Sequence, residues 1–464
     1  MQDVSFADLV FTGGRVYTVD ARDRVAEAVA VRGGRIARVG TAEEIAPLAG
    51  PDTRVVRLEG RSVLPGINDS HLHGMWLGAM WPNLLMDQLA GSGDGHSHEP
   101  PQGAPGPSRL ETAEDRRGAI LRTANLLASF GITSYTEPGL GPGEDDGATG
   151  CFGSAALHDY AELAAGGRLK ARVTALLLFG ELDGRSSAKE LLDGLRDFKP
   201  PADVPGRFTV AGVKIFADGI PPMRTAWTER PYTDGSHGAL LVDGRSEAAR
   251  EEALRTMIDA AHDAGHQIGV HATGDRTTRV VADALAAALG RDERDARHYI
   301  IHGDLLAPRT LTVMSASGIG LNTQAGIPVA TEPMLAAALG EDALKDAWPT
   351  RDALDAGVRL SLSSDSPVLT PDWRAGLAAA VTRRGLDGSV RGAAQRLAVA
   401  EALRAYTITP AWQDGAEDVK GSIEPGKVAD LCVLDGDLYE TEPDSLSSVP
   451  VRMTVLDGEV VYEI

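Results

Sequence analysis

The sequence predicts an α/β chain: a (β/α)8 TIM-like barrel carried on a small β-sandwich domain that is built from both chain termini. Three observations predict it. Short apolar segments alternate with helical ones through the middle of the chain; the two ends read like one another and unlike the middle; residues able to ligate a metal recur where the apolar segments stop. A length of 464 residues leaves room for a barrel and an accessory domain, because a single core stops growing at roughly 250–300 residues.

The ends justify the accessory domain. DLVFTGGRVYTV, AEAVAVRGGRIARVG and TRVVRLEGRSVLPG alternate apolar and polar residues between Gly-rich turns, as hairpins do. ADLCVLDGDLY and VRMTVLDGEVVYEI repeat the pattern at the far end. The two sets are expected to pair into one composite β-domain, residues 1–64 plus 415–464, with the barrel, residues 65–414, inserted between them.

The barrel begins with LPGINDSHLHG, where His71 and His73 stand two residues apart. On a strand that spacing puts both imidazoles on one face. GSGDGHSHEPPQGAPGPS follows, too rich in Gly, Pro and Ser for a helix or central strand, so residues 91–108 are expected to form a long loop. His96 and His98 inside it read as solvated or lid residues rather than ligands. Helix RRGAILRTANLLASF then leads into strand GITSYTEPG, strand RVTALLLFG, helix AKELLDGLRDF and strand FTVAGVKIFADG. Helix SEAAREEALRTMIDAAHDAG precedes strand HQIGVHATG, helix RTTRVVADALAAALG precedes strand HYIIHGD, and helix APRTLTVMSASG precedes strand IGLNTQ. The helices around PMLAAALGEDALKDA and RDALDAG lead to the eighth strand, VRLSLSSDSP. An open, doubly wound sheet would show the same alternation; the order of the ligand-type residues favours the closed barrel.

Composition bounds the function. With 45 Lys plus Arg against 66 Asp plus Glu the formal charge is −21, which opposes binding to nucleic acid and to anionic membranes. Cys151 and Cys432 are the only cysteines, too few for a disulfide framework or a thiolate zinc site. The N-terminus lacks a basic start and a continuous apolar run, and no stretch approaches the ~20 apolar residues needed to cross a bilayer. A soluble cytoplasmic protein acting on a small-molecule substrate is expected, with the β-domain offering a surface for homo-oligomerisation.

Chemistry in such barrels sits at the C-terminal ends of strands. Five strands supply ligand-type residues there: His71 and His73 on the first, Lys214 in VKIFADG, His271 in IGVHATGD, His302 in YIIHGD and Asp365 in LSLSSDSP. Singly, His302 reads as a core histidine and Asp365 as a turn cap; six on five strands read as a metal site. Lys214 follows an apolar run, where an unpaired ammonium is costly, so such a lysine usually carries chemistry or a modification. Further pocket candidates are Asp218 and Asp275, each four residues after a ligand-type residue, as orienting groups or helix caps. Arg224 could clamp a substrate carboxylate or pair with surface acids, and Glu137 and Gln324, at the ends of the second and seventh strands, could be extra ligands or polar walls.

The order HxH, Lys, His, His, Asp, the split β-domain and GSIEPGKVADLCVLD resemble the amidohydrolase superfamily. More narrowly, LPGINDSHLH, VKIFADG with RTAW, HATGDR, RHYIIHGD, SSDSPV and LRAYTITPAW are similar to the branch containing N-substituted formamide deformylase, often called YtcJ-like. The resemblance implies that His71 and His73 bind the more buried metal, His271 and His302 the more exposed one, and Lys214, carboxylated by CO2 on Nζ, bridges them. Asp365 would hold a metal and act as general base. Imidazole and carboxylate-type oxygen suit zinc first, one or two ions, with iron, manganese or cobalt as substitutes. The expected reaction is hydrolysis of a non-peptide C–N bond, amide or formamide-type, by a metal-activated hydroxide, with Asp365 relaying the proton to the leaving nitrogen. A deaminase or metal-assisted decarboxylase would use the same scaffold, and a metal-free binding relative is the alternative from another class. DGIPPM and the 91–108 loop depart from the branch where substrate would be read, so formamide specificity is not carried over.

Overall fold

The computed structural model describes residues 6–86 and 109–464; the loop assigned to 91–108, with His96 and His98, lies outside the described residues. Two sheets organise the chain. The first is mixed and takes strands from both ends: β1 (Leu9–Tyr17), β2 (Val25–Arg32), β3 (Arg35–Gly40), β4 (Arg54–Arg57) and β5 (Ser62–Pro65), then β14 (Leu431–Leu434), β15 (Val451–Leu456) and β16 (Glu459–Glu463). The ends meet where β5 pairs antiparallel with β14, Leu64 opposite Cys432. The expected hairpins form at β1–β2, β2–β3 and β15–β16, but β4 and β5 both run parallel to β1. Because β4 pairs with the first half of β1 and β5 with the second, the sheet divides and folds over a core that includes Phe11, Val29, Val31, Leu431, Val433 and Val455.

The second sheet is the barrel. Its eight strands, β6 (Ile67–Asp69), β7 (Ile132–Leu140), β8 (Arg172–Leu178), β9 (Phe208–Phe216), β10 (Gln267–Ala272), β11 (Tyr299–His302), β12 (Gly320–Thr323) and β13 (Leu360–Leu362), lie in sequence order with every neighbour parallel. Strands buried on both faces read as near-continuous apolar runs, as in RVTALLL and YIIH. The helices between them include Ala113–Ser129, capped by Thr112 and Asp115, and Glu247–Asp263, capped by Ser246. The structure adds the helix Ser154–Ala165 between β7 and β8, which the sequence pattern does not mark.

β6 and β13 close the barrel without a regular ladder. Past the strand ends the Asp365 N–H donates to the His71 carbonyl at 2.9 Å, the His73 N–H to the Ser366 carbonyl at 2.8 Å, and the Ser364 N–H to Asp69 Oδ1 at 3.0 Å. The two sheets are bound to each other by the buried Arg172 of β8, which grips Asp430 at 2.7 and 2.9 Å and also pairs with Asp457. Gly131, at φ +77, permits their close approach, since a Cβ there would stand 2.3 Å from Cys432 Sγ. Cys151 and Cys432 are both buried free thiols. Among the described residues no helix is long and apolar enough to cross a membrane.

Candidate metal centre

His71 and His73 do not sit on a strand. β6 ends at Asp69, His71 lies in the turn beyond it, and His73 caps the helix Gly74–Met80. Their rings nonetheless converge, centroids 5.5 Å apart and nearly perpendicular, because the seam with β13 fixes the turn. Asp365, three residues past β13 and held at φ +56, completes the group: its Oδ1 lies 3.2 Å from His71 Nε2 and 3.6 Å from His73 Nε2. One donor atom from each of the three falls within 4.8 Å of the other two.

A second pair stands beside it. His271 in β10 and His302 at the end of β11 have ring centroids 4.6 Å apart, and His302 is 5.3 Å from His71. Hydrogen bonds fix which nitrogen each imidazole presents. His302 Nδ1 donates to Gln324 Oε1 at 2.7 Å, leaving the Nε2 lone pair free. Gln324, just past β12, is itself oriented by donating to Ser363 Oγ at 2.9 Å. His271 Nε2 donates to the Gly219 carbonyl at 3.0 Å, so Nδ1 carries the lone pair, and that atom is buried without a partner. Lys214, two residues before the end of β9, is buried, with Nζ 4.5 Å above the Phe216 ring and no ion pair among the described residues.

These residues line one cavity of about 310 Å³ at the C-terminal ends of the strands. Burial drives Lys214 down to about 8, and burial together with the Lys214 charge takes His71 down to about 3. Burial also works against a charged His73, but the carboxylates of Asp365 and Glu137 outweigh it and raise His73 to about 9. Asp365 is held well below the ordinary carboxylate range: burial opposes its charge, and the hydrogen bonds of His71 and His73 with the charges of His71 and His302 overcome that opposition.

The donor set fits a divalent metal. The Nε2 atoms of His71 and His73 converge on Asp365 Oδ1, and beside them His271 Nδ1 is a buried nitrogen with no hydrogen-bond partner. Such groups are expensive to leave unpaired. Two imidazole pairs plus a carboxylate are nitrogen and oxygen ligands of the kind zinc takes.

The remaining candidates separate. Glu137 lies inside β7 rather than at its end; its Oε2 accepts from the Gly74 N–H at 2.7 Å and the Tyr160 hydroxyl at 3.0 Å, while Oε1 stands 3.6 Å from His73 Nδ1. Asp218 lines the cavity, but both its oxygens accept backbone N–H groups, from Thr273 and from Trp227 and Gly274, each at 3.0 Å. Asp275 starts the helix Asp275–Leu289, accepts from the Glu229 and Arg276 N–H groups, and faces a neighbouring cavity instead. Arg224 is exposed, at φ +59, and reaches Thr233 Oγ1 and Asp234 on the surface; it does not line the site cavity. Sequence reasoning misses Asp183 and Asp304, which both line it. HGD carries Asp304 two residues after His302, but nothing local distinguishes it from a turn residue.

A model of the amidohydrolase family matches residues 99–462. That stretch starts beyond His71 and His73, whose place in the cluster rests on geometry. N-substituted formamide deformylase of Arthrobacter pascens is 28% identical, with 98% of each chain covered. Imidazolonepropionase of Chloroflexus aggregans is 26% identical over 94% of this chain and 90% of its own. Among solved structures, an uncharacterized metal-dependent hydrolase from Pyrococcus horikoshii superposes with a TM-score of 0.71 at 20% identity, covering 98% of this chain and 100% of that one.

Proposed function

The chain belongs to the amidohydrolase family, and from that premise we propose that it hydrolyses a C–N bond, amide or formamide-type, in a small molecule. The observation that carries the proposal is the convergence of His71, His73, Lys214, His271, His302 and Asp365 on one cavity, with the Nε2 atoms of His71 and His73 turned to Asp365 and His271 Nδ1 buried without a partner. His71, His73 and Asp365 would hold one zinc ion, and His271 through Nδ1 and His302 through Nε2 a second. Zinc, when bound, polarises a carbonyl oxygen and acidifies water from a pKa of 15.7 towards about 7.

Lys214 suits the bridging position. Its desolvated amine sheds its proton more readily than an exposed one, and the neutral amine adds CO2, releasing a proton and leaving an anionic carbamate oxygen. Gln324 and the Gly219 carbonyl keep His302 and His271 in the tautomers that ligation needs, and Glu137 supports His73 from behind. Asp365 is the proton carrier. Its carboxylate takes the proton of the attacking water and returns it to the nitrogen of the breaking bond, so that the leaving group departs as a neutral amine. Turnover of a cavity this size, at the low end for ligand sites, would be confined to small substrates.

Protein purified without chelators, reloaded with zinc and bicarbonate, and screened for amine release against N-formyl, N-acyl and cyclic amides tests the proposal. Turnover that falls by several orders of magnitude in Asp365→Asn supports it. Metal content below about 0.2 per chain, with no turnover after reloading, overturns it.

A further inference from the structure

His302 meets Gln324 through Nδ1, but an amide can donate as well as accept, so Gln324 alone does not decide which end it turns to the imidazole. The decision lies deeper in the barrel. Gln324 Nε2 donates to Ser363 Oγ at 2.9 Å and stands 3.4 Å from Asn322 Oδ1, and the Ser363 hydroxyl donates to the same Asn322 oxygen at 2.7 Å. Asn322, inside β12, turns its Nδ2 the other way, to the Ser70 carbonyl at 2.9 Å, Ser70 Oγ at 2.9 Å and Gln413 Oε1 at 3.0 Å. Gln413, the last residue of the helix Ile408–Gln413, comes from the opposite end of the strands: its carbonyl accepts from Gln267, the first residue of β10, at 2.7 Å. Its own Nε2 donates to the Ser70 carbonyl at 3.2 Å. All five residues, Ser70, Asn322, Ser363, Gln324 and Gln413, are buried.

One atom gives this chain its direction. A backbone carbonyl carries no proton, so only a donor can face that of Ser70. Asn322 must therefore present Nδ2 to Ser70 and Oδ1 to Ser363. Because Oδ1 only accepts, the Ser363 hydroxyl points to it and offers a lone pair to Gln324. Gln324 answers with Nε2, which leaves Oε1 for the imidazole, and His302 Nδ1 then carries the proton. Reversing Asn322 or Gln324 would set two acceptors or two donors face to face where water cannot relieve them.

We infer that Asn322 is a positioning residue: it passes the polarity of the Ser70 carbonyl through Ser363 and Gln324 to His302, fixing the proton on Nδ1 and the lone pair on Nε2. The inference rests on the reading of His302 as a zinc ligand through Nε2. It joins the two halves of the centre, since the carbonyl that sets the His302 proton belongs to the residue before His71.

Full-length protein labelled with 15N-histidine is followed by NMR at about pH 8, where imidazoles are ordinarily neutral, first zinc-loaded and then as a chelator withdraws the zinc. The His302 signals, identified by their loss in His302→Gln, are expected to show the proton on Nδ1 throughout. In Asn322→Leu the Ser363 hydroxyl loses its acceptor and turns to Gln324 Oε1, and the amide reverses. His302 should then carry its proton on Nε2 in at least about half of the molecules once zinc is withdrawn, and the ion held with His271 should weaken in inverse proportion to the share still protonated on Nδ1, at least about two-fold. The ion held by His71, His73 and Asp365 should be unaffected. Asn322→Ala, which adds no volume, gives the same test if Asn322→Leu does not fold. Gln413→Met removes an equally buried hydrogen bond from Asn322 but leaves the Ser70 carbonyl in place, and should keep the proton on Nδ1. A proton that stays on Nδ1 in the folded Asn322 variant, or that moves in Gln413→Met as well, overturns the inference. If the proton moves while zinc affinity does not, the positioning role of Asn322 stands and ligation through His302 Nε2 falls.

Discussion

Replacing Gln324 by Leu tests whether the histidines are held ready by their hydrogen bonds or merely happen to lie near one another. Gln324 Oε1 accepts the His302 Nδ1 proton at 2.7 Å, and its amide nitrogen is anchored on Ser363 Oγ at 2.9 Å. Leu fills a similar volume and accepts nothing. Two costs follow. His302 Nδ1 becomes a buried donor without an acceptor, a penalty of about 1–3 kcal/mol on stability. The imidazole is also free to turn or to move its proton to Nε2, which removes the lone pair that points towards His271; loss of such an outer partner typically costs about 10–100-fold in metal affinity, or about 1.4–2.7 kcal/mol. The loss should fall on the His271–His302 side only, because His71, His73 and Asp365 make no hydrogen bond to Gln324. Competition against a chelator of known affinity, with the number of bound zinc ions followed by mass spectrometry under native conditions, reads both effects. The expected result is one ion retained and one weakened. Unchanged affinity of both ions in folded Gln324→Leu, or equal weakening of both, would refute the reasoning.

Two further outcomes are expected. Lys214→Ala should lose metal and turnover together, with partial rescue by a short-chain carboxylic acid supplied in solution; full activity without rescue would remove Lys214 from the bridging position. His298 provides a pH test away from the site: its Nδ1 accepts from the Ile268 N–H at 3.1 Å, its Nε2 meets His262 Nδ1 at 2.8 Å, and burial followed by the His262 charge lowers it to about 3. The folded state therefore takes up this proton only near pH 3, whereas the unfolded chain takes it up near 6.5, so stability is lost as pH falls from 6.5 towards 3. By pH 5 the contribution is about 2 kcal/mol, and His298→Asn should flatten the dependence of the urea midpoint on pH over that interval by a corresponding amount. An identical slope in the variant would contradict it.

What the sequence made legible was what local pattern controls. Several barrel strands were visible because burial on both faces demands an apolar run, as in Leu176–Leu178 and Ile300–Ile301. The six ligand-type residues were visible because charge and imidazole abruptly follow such runs. Less visible were properties set by contacts distant in sequence. That His71 and His73 sit beyond β6 depends on the seam with residues 364–366, nearly 300 positions away. Arg224 reads equally as a substrate clamp or a partner of surface acids until the turn Pro221–Met223 and its own left-handed φ send it to Asp234. Asp304 and Asp183 are brought into the cavity only by the fold, and no window of sequence contains that information. The helix Ser154–Ala165 lacks a side-chain N-cap, starting at Gly153, which removes one of the usual starting signals.

The closure of the barrel and the assembly of the site are the same set of contacts. A regular ladder between β6 and β13 would have carried His71 and Asp365 apart along two extended strands; instead both chains leave the sheet early and bond to each other through the Asp365 N–H and the His71 carbonyl. The arrangement holds backbone that is costly in isolation. His302 at φ +71 and Asp365 at φ +56 occupy the left-handed region, at of order 1–3 kcal/mol each for residues other than glycine, and buried imidazole nitrogens beside them lack partners. Neither feature helps the fold. The strain becomes favourable once a cation binds, because the left-handed turns aim the side chains inward, and the unpartnered His271 Nδ1 is an atom that would ligate. Metal binding should therefore stabilise the seam more than any other part of the barrel, and hydrogen exchange at the Asp365 and His73 amides, which donate across it, should slow more on zinc loading than exchange at β8 or β9, where an ordinary parallel ladder already holds the strands.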